Sequence, residues 1–138
     1  MKIYFSAPIR GDRSDVIIYK DIIDYLKKYG EVLTEHVGNE TINQSGEIYI
    51  SDEEIHNRDM EWLLKSDLII ADVTNLSLGV GYELGRAVEN KKKIVCIYRN
   101  EDKNKRLSAM IGGSRDINLI VSNEISVIKS KLKKYLSK

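Results

Sequence analysis

The chain has 138 residues, of which 42% are hydrophobic and 31% are charged. This length provides one sizeable hydrophobic core and is too short for two ordinary domains, so we expect a single domain over residues 1–138. The composition is close to globular averages, which excludes a disordered or fibrous protein. The formal net charge of +1 creates no positive field to draw in nucleic acid, and we expect no nucleic-acid partner.

The N-terminal segment and the single cysteine bear on cellular location. Polar residues follow Met1 too soon for a signal peptide, and no apolar run is long enough to span a membrane. These features predict a cytoplasmic protein with no membrane partner. Cys96 lies in the apolar run 94–97, where a buried, inert thiol is far more common than a nucleophile.

Short apolar runs alternate with stretches of helical character, which is the pattern of a parallel sheet built from βαβ units. The predicted strands are residues 3–5, 32–33, 68–71, 94–98 and 119–121. Between the first two strands, apolar residues at helical spacing predict an amphipathic helix that ends at Gly30. The sequence therefore predicts an α/β fold of the Rossmann-like (flavodoxin-like) kind, with a five-stranded parallel sheet and helices on both faces.

A long loop and a second helix precede the third strand. Residues 38–50 show no periodicity, and loops of that length are often lids or binding loops. Ser51 followed by Glu54 is a capping-box pattern that predicts a helix over residues 52–65. Asp59 falls within the apolar stripe of that helix, so its carboxylate is expected to point towards the protein. A structural acid and a functional acid both fit this placement.

Polar residues follow the predicted strands at their carboxyl ends, where open parallel sheets bind ligands. The segments concerned are 6–11, 34–36, 72–81 and 99–108. Since these ends share one edge of the sheet, anion-binding and acidic groups are expected to converge there.

The block 77–85 is the strongest candidate for a functional site in the sequence. We interpret it as a loop with two glycines that leads into a helix. A helix start offers backbone amides and a positive dipole end, which can hold a phosphate and favour an ionised carboxylate. We therefore predict that Glu83 is charged at neutral pH, as nucleophilic attack on a sugar carbon or stabilisation of a cationic transition state requires. A purely structural partner of the helix dipole is the alternative role for Glu83.

Cofactor motifs are not found in the sequence. The glycines at 79, 81 and 85 lack the dinucleotide-binding spacing, and no Walker lysine follows them. His36 and His56 do not belong to a tight cluster of ligands, so we predict no metal site.

Several blocks together resemble the 2′-deoxynucleoside 5′-phosphate N-hydrolases, relatives of the nucleoside 2-deoxyribosyltransferases. The first three blocks are residues 4–5 with 9–11, residues 32–37, and His56 with Asp59 and residues 62–63. The fourth block is Ser-Leu-Gly-Val-Gly-Tyr-Glu-Leu-Gly-Arg-Ala at 77–87, and the fifth is Leu-Ser-Ala-Met-Ile at 107–111. The fourth block is highly specific, and its pairing with the fifth favours the hydrolases over the transferases. The resemblance implies cleavage of the bond between base and deoxyribose in a nucleoside monophosphate, without a cofactor.

The resemblance also implies roles for individual residues. Glu83 is expected to form a covalent sugar-phosphate intermediate, Tyr4 to hold its carboxylate, and Asp59 to contact the sugar and assist departure of the base. The implied substrate-binding residues are Ile9, Arg10, Gly11, His36, Ser77, Gly79, Ser108 and Met110. Among them Arg10, Ser77 and Ser108 are expected to bind the 5′-phosphate, with Ser108 contributed by the neighbouring subunit of a homodimer.

One departure from the family pattern leaves alternatives open. Pro8 stands where the family has a serine that binds phosphate, and proline offers neither a hydroxyl nor a backbone donor. A transferase that exchanges bases and a CMP-type ribonucleotide N-hydrolase therefore remain alternatives. A receiver domain with Asp72 as phospho-acceptor is a further one, but receivers carry a magnesium-binding acidic pair after the first strand, where this chain has Ser-Ala-Pro.

Overall fold

A computed structural model of the chain describes residues 1–9, 14–40, 42 and 46–137. The strands are β1 (Lys2–Ser6), β2 (Glu31–Val32), β3 (Leu68–Asp72), β4 (Lys93–Tyr98) and β5 (Ile117–Val121). The helices are α1 (Val16–Leu26), α2 (Asp52–Lys65), α3 (Leu78–Glu89), α4 (Ala109–Gly112) and α5 (Ile125–Leu136), with a short 3₁₀ helix at Glu35–Gly38. All strand pairs are parallel, in the order β2-β1-β3-β4-β5. The predicted five-stranded parallel α/β fold is confirmed.

The side-chain alternation of the strands separates two hydrophobic cores. On one face, Ile3 and Phe5 of β1 pack in a cluster with the buried residues of α1 and α5. On the other face, Tyr4 packs with buried residues of α2 and α3. Since Ser6 follows Tyr4 by two residues, it also points to the α2 and α3 face. Both faces of the sheet are thus covered by helices.

The central strand and the cysteine behave as the sequence predicted. Every residue of β3 is buried, as expected for a strand covered on both faces. Cys96 in β4 is buried and free, and burial raises the pKa of its thiol to about 12. At this pKa the thiol is not a nucleophile at neutral pH. Among the described helices, none is both long enough and apolar enough to cross a membrane.

Gly30 does not end the first helix, contrary to our prediction. Helix α1 ends at Leu26, and Gly30 lies directly before β2. A Cβ atom at Gly30 would lie 2.3 Å from the carbonyl oxygen of Met1. This position therefore needs glycine because two chain segments meet closely there, next to the bond from the Glu31 amide to the same Met1 oxygen.

A buried ionic cluster joins three segments at the carboxyl edge of the sheet. The Arg99 side chain, which is fully buried, donates from Nε to Asp72 Oδ2 at 2.8 Å and from a terminal nitrogen to Asp15 Oδ2 at 2.6 Å. Asn75 donates to the same Asp15 oxygen at 2.8 Å. The cluster links the ends of β3 and β4 to the residue before α1. Because Asp72 is fully buried and paired with Arg99, it is not placed as an accessible phospho-acceptor.

The Arg99 cluster yields a stability prediction. Arg99→Met leaves the Asp72 carboxylate buried without its partner, so we expect a loss of about 3–5 kcal/mol in the free energy of unfolding. Urea denaturation at pH 7 measures it. Lys20→Met, which removes an exposed ion pair with Asp24 on α1, is the control and should change the value by no more than about 0.5 kcal/mol. A loss of less than about 1 kcal/mol for Arg99→Met would contradict the assignment.

Candidate active site

A cavity of about 590 Å³ lies at the carboxyl edge of the sheet. Its walls come from the segment after β1, from α2, from the start of α3 and from Glu47 in the loop before α2. The volume falls within the range of sites that bind small molecules. Ligand-sized space therefore lies where the sequence predicted it, beyond the ends of the parallel strands.

Glu83 of α3 lines this cavity and is bonded to β1. The Ser6 hydroxyl donates to Glu83 Oε2 at 2.5 Å. The Tyr4 hydroxyl lies beside the Glu83 side chain and favours its ionised form. Burial, followed by the nearby Glu83 charge, raises the pKa of Tyr4, so the phenol stays protonated and acts as a donor. Two neutral donors on one face of β1 thus hold the carboxylate.

The helix start that we expected to keep Glu83 charged at neutral pH does not reach this residue. Helix α3 begins at Leu78 with Ser77 as its N-cap, which places Glu83 in the second turn. The dipole effect falls off within the first turn and does not hold its pKa down. Burial raises the pKa of Glu83 to about 7 although the Ser6 and Tyr4 bonds lower it, and the charge of Asp59 raises it further. A pKa near neutrality leaves both the ionised and the protonated form of Glu83 accessible around pH 7.

Asp59 of α2 lines the same cavity with a side chain that is 13% exposed, so it points inwards as its apolar stripe predicted. Burial raises the pKa of Asp59, and the neighbouring Arg58 opposes that effect. Arg58 Nε donates to Asp59 Oδ1 at 3.0 Å. The site therefore contains two carboxyl groups in unequal environments, one bonded by neutral donors and one by a cation.

The two helices that carry these carboxyl groups are joined at the cavity rim. His56 Nε2 of α2 and the Tyr82 hydroxyl of α3 lie 2.9 Å apart, and their rings pack with centroids 5.6 Å apart. Arg86 donates to the same hydroxyl at 2.8 Å. Arg86 can only donate, whereas either partner of the contact between His56 and Tyr82 can be the donor. This chain of contacts fixes α2 against α3.

The glycines after Ser77 lie in the helix and not in a loop as we predicted. Gly79 and Gly81 belong to the first turns of α3, and the Ser77 hydroxyl accepts from the Val80 amide at 3.2 Å. A Cβ atom at Gly79 would meet nothing closer than Ser77 Oγ at 3.9 Å. Packing within the protein therefore does not require glycine there. Its absence of a side chain leaves room beside Ser77, and both residues line the cavity.

The other predicted residues are distributed over three places. Ile9 lines the large cavity, while Arg10 and Gly11 lie outside the described residues. His36 borders a small cavity of about 20 Å³ next to Tyr4, Asp59 and Glu83.

Ser108 and Met110 lie apart from this group. Ser108 is the N-cap of α4 and lines a second cavity of about 410 Å³, and Met110 is 82% exposed. Within one chain, Ser108 does not line the same cavity as Glu83 in the described part of the protein.

Sequence reasoning missed Ser6, Glu47 and Arg58. Ser6 could have been found, because strand alternation places it beside Tyr4 on the face that Glu83 approaches. Glu47 lies in the aperiodic loop and Arg58 on α2, and both oxygens of Glu47 accept hydrogen bonds from Arg58, at 2.9 and 2.8 Å. No periodicity relates these two residues, so the sequence offered no signal for their pairing.

The fold and the site define a parallel α/β protein that takes a small ligand at the carboxyl edge of its sheet. The sequence model of the nucleoside 2-deoxyribosyltransferase family matches residues 3–127, and the chain belongs to that family. The family relationship predicted from the sequence blocks is confirmed.

Individual relatives show how close the similarity is. The chain is 55% identical over 118 residues to the 5-hydroxymethyl-dUMP N-hydrolase of Esox lucius, covering 84% of this chain and 81% of that protein. It is 55% identical over 120 residues to a putative 2′-deoxynucleoside 5′-phosphate N-hydrolase of Nematostella vectensis, covering 83% and 78%. The structure of the Clostridium botulinum CMP N-glycosidase matches with a TM-score of 0.68 at 19% identity, covering 98% and 99% of the two chains, which shows a shared fold.

The bond from Ser6 to Glu83 yields a pKa prediction. Ser6→Ala removes a donor that favours the ionised carboxylate, so we expect the pKa of Glu83 to rise above 7 by about half to one pH unit, the equivalent of one neutral hydrogen bond. Carboxyl ¹³C NMR titration of the folded protein measures it. Ser66→Ala is the matched control, since this serine is also buried but bonds the Leu63 carbonyl. An unchanged or lowered Glu83 pKa in Ser6→Ala would refute the assignment.

Proposed function

We propose that the protein hydrolyses the N-glycosidic bond of 2′-deoxynucleoside 5′-monophosphates to the free base and 2-deoxyribose 5-phosphate. The observation that carries this proposal is the Glu83 carboxyl group, held by Ser6 and Tyr4 in a ligand-sized cavity that Asp59 also lines. Relatives that share 55% of the aligned residues are named as N-hydrolases of this kind. Because one of them is named for 5-hydroxymethyl-dUMP, that nucleotide is the first substrate to test.

The proposed reaction proceeds in two displacements. The ionised Glu83 carboxylate attacks C1′ of the sugar, the bond from C1′ to the base nitrogen breaks, and the base leaves with the bonding electrons. The base takes up a proton from solvent, and the water that attacks in the second step returns one proton to solvent. Water then attacks C1′ of the glycosyl enzyme, which releases the sugar phosphate and regenerates the carboxylate. Asp59 contacts the sugar and favours the positive charge that develops on it. Tyr4 and Ser6 hold Glu83 in line with C1′.

The pKa of Glu83 sets the expected pH dependence. Only the ionised carboxylate is a nucleophile, so the reactive fraction falls as pH drops through about 7. We expect kcat/KM to decrease about tenfold for each pH unit well below that value. The expected pH dependence of kcat/KM thus follows from the raised pKa of Glu83.

Substitution of Glu83 tests the covalent mechanism. Glu83→Gln keeps the size of the side chain but removes the nucleophile, so we expect base release to fall by about 1000-fold or more while nucleotide binding persists. Chromatography measures the released base, and titration calorimetry measures binding. Glu89→Gln, at an exposed position of the same helix, should behave as wild type. Turnover by Glu83→Gln within about tenfold of wild type would refute Glu83 as the nucleophile.

The same assay separates the hydrolase from its alternatives. Release of base from a deoxynucleoside monophosphate without any acceptor base excludes an obligatory base-exchange reaction. A parallel series of ribonucleoside monophosphates tests the CMP-type alternative, which Pro8 keeps open. Both series of substrates are assayed by the amount of base released, so their rates can be compared directly.

The phosphate site is proposed to be shared between two copies of the chain. Ser77 lines both the Glu83 cavity and the second cavity, whereas Ser108 of the same chain lines the second cavity and not that of Glu83. A Ser108 that faces the Glu83 cavity is therefore proposed to come from a partner subunit. Leu76, Leu78 and Met110 near these serines are 96%, 97% and 82% exposed. Large apolar side chains this exposed around a proposed binding site are consistent with a region that another protein covers. These features support a homodimer.

Mixing two inactive variants tests the shared site. Glu83→Gln and Ser108→Ala are co-refolded in equal amounts, so half of the dimers contain both. Each mixed dimer then has one site with an intact Glu83 and an intact Ser108 from the partner, and we expect about a quarter of wild-type activity. Light scattering verifies the dimer mass. Activity no higher than the average of the separate variants, or a monomer mass, would contradict the shared site.

A further inference from the structure

We propose that Arg58 is a positioning residue that fixes the Asp59 carboxylate and the loop containing Glu47 relative to each other on one wall of the cavity. This inference rests on the proposed function, in which Asp59 contacts the sugar. Arg58 does not line the cavity itself. It acts through two carboxylates that do.

The Arg58 guanidinium is held from several sides. It lies over the Trp62 ring, 4.7 Å from the centroid, and its side chain is 27% exposed. Two of its nitrogens donate to the two oxygens of Glu47, at 2.9 and 2.8 Å. Such a forked pair fixes orientation as well as distance, which a single charged contact does not. The pair attaches the loop before α2 to the body of that helix.

Arg58 also contacts Asp59, partly through a terminal nitrogen that bonds Glu47. Its Nε and one terminal nitrogen lie 3.0 and 2.9 Å from Asp59 Oδ1. Both contacts fall on Oδ1 of Asp59. Among the described contacts, Oδ2 is therefore the oxygen that is available to a sugar hydroxyl. A planar guanidinium is suited to this task because its donors point in fixed directions.

The titratable groups that face Asp59 come from five segments: α2 itself, the 3₁₀ helix, the loop before α2, α3 and β1. Arg58 and a protonated His36 favour its ionised form, whereas Glu47 opposes it. Glu83 and Tyr4 lie close enough for the Asp59 charge to affect their own titration. Arg58 is therefore the permanent cation that opposes the effect of burial on the pKa of Asp59. His36 lowers that pKa only when it is protonated.

A merely stabilising ion pair is the alternative, because a partly exposed pair can hold the loop on α2 without acting on Asp59. It predicts that loss of Arg58 lowers the unfolding temperature and leaves kinetics and the ionisation of Asp59 unchanged. A positioning role predicts changes in both. The two are distinguished by the pKa of Asp59 and by separate values of kcat and KM.

The experiment compares Arg58→Met and Arg58→Lys with wild type. In Arg58→Met the cation is lost, and we expect the pKa of Asp59, from carboxyl ¹³C NMR, to rise and kcat to fall about tenfold, with KM changing less than about threefold. In Arg58→Lys the charge is kept but the fork is lost, so we expect a near-native Asp59 pKa with a similar fall in kcat. Lys65→Met, which removes an exposed pair with Glu61 on the same helix, is the control and should change neither.

Two results would overturn the inference. One is an unchanged Asp59 pKa in Arg58→Met, and the other is a wild-type kcat in both Arg58 variants. The NMR titration needs no substrate, so it tests Arg58 even if wild-type protein releases no base. Absence of base release by wild type with a normal Asp59 titration would refute the proposed function and leave the role of Arg58 at Asp59 intact.

Discussion

Burial of the Glu83 carboxyl group against β1 is the constraint around which the site is arranged. The pKa of Glu83 is about 7 in the folded protein, against an ordinary value of 4.5. A raised folded pKa means that the folded state binds this proton more tightly than the unfolded state, so its contribution to stability is complete below about pH 4.5 and is lost as pH rises through 7. The difference corresponds to roughly 3 kcal/mol. The ionised form that the proposed chemistry needs is thus the form that the fold disfavours, and the Ser6 and Tyr4 donors reduce that penalty.

The topology explains how such a group can be held. Because β1 lies beside β3 in the sheet, the helix that follows β3 comes near enough to β1 for Glu83 to accept a hydrogen bond from Ser6. The Arg99 cluster ties the ends of β3 and β4 to the start of α1, and the contact of His56 with Tyr82 ties α2 to α3. Fixed neighbours of this kind let two carboxyl groups share a cavity without reorganising during the reaction.

Sequence patterns predicted the fold well and the site in part. Apolar periodicity gave the five strands, the capping box gave the start of α2, and the apolar stripe gave the inward direction of Asp59, because each depends on local repeats. The position of Glu83 within its helix was predicted wrongly because two glycines disfavour a helix, whereas capping by Ser77 and packing of Val80 and Leu84 start α3 before them. The pairing of Arg58 with Glu47 depends on tertiary structure alone and had no local signature.

The second-turn position of Glu83 also bears on how phosphate and nucleophile can coexist. A phosphate dianion next to a carboxylate raises the carboxyl pKa further and lowers the fraction that can attack. At the start of α3, Ser77 and the backbone amides offer the positive end of the helix to an anion, while Glu83 is one turn further along and faces β1. Separation along a single helix therefore lets one element bind the proposed phosphate at its end and present the nucleophile from its side. A carboxylate in the first turn, as the sequence suggested, would compete with the phosphate for the same amides.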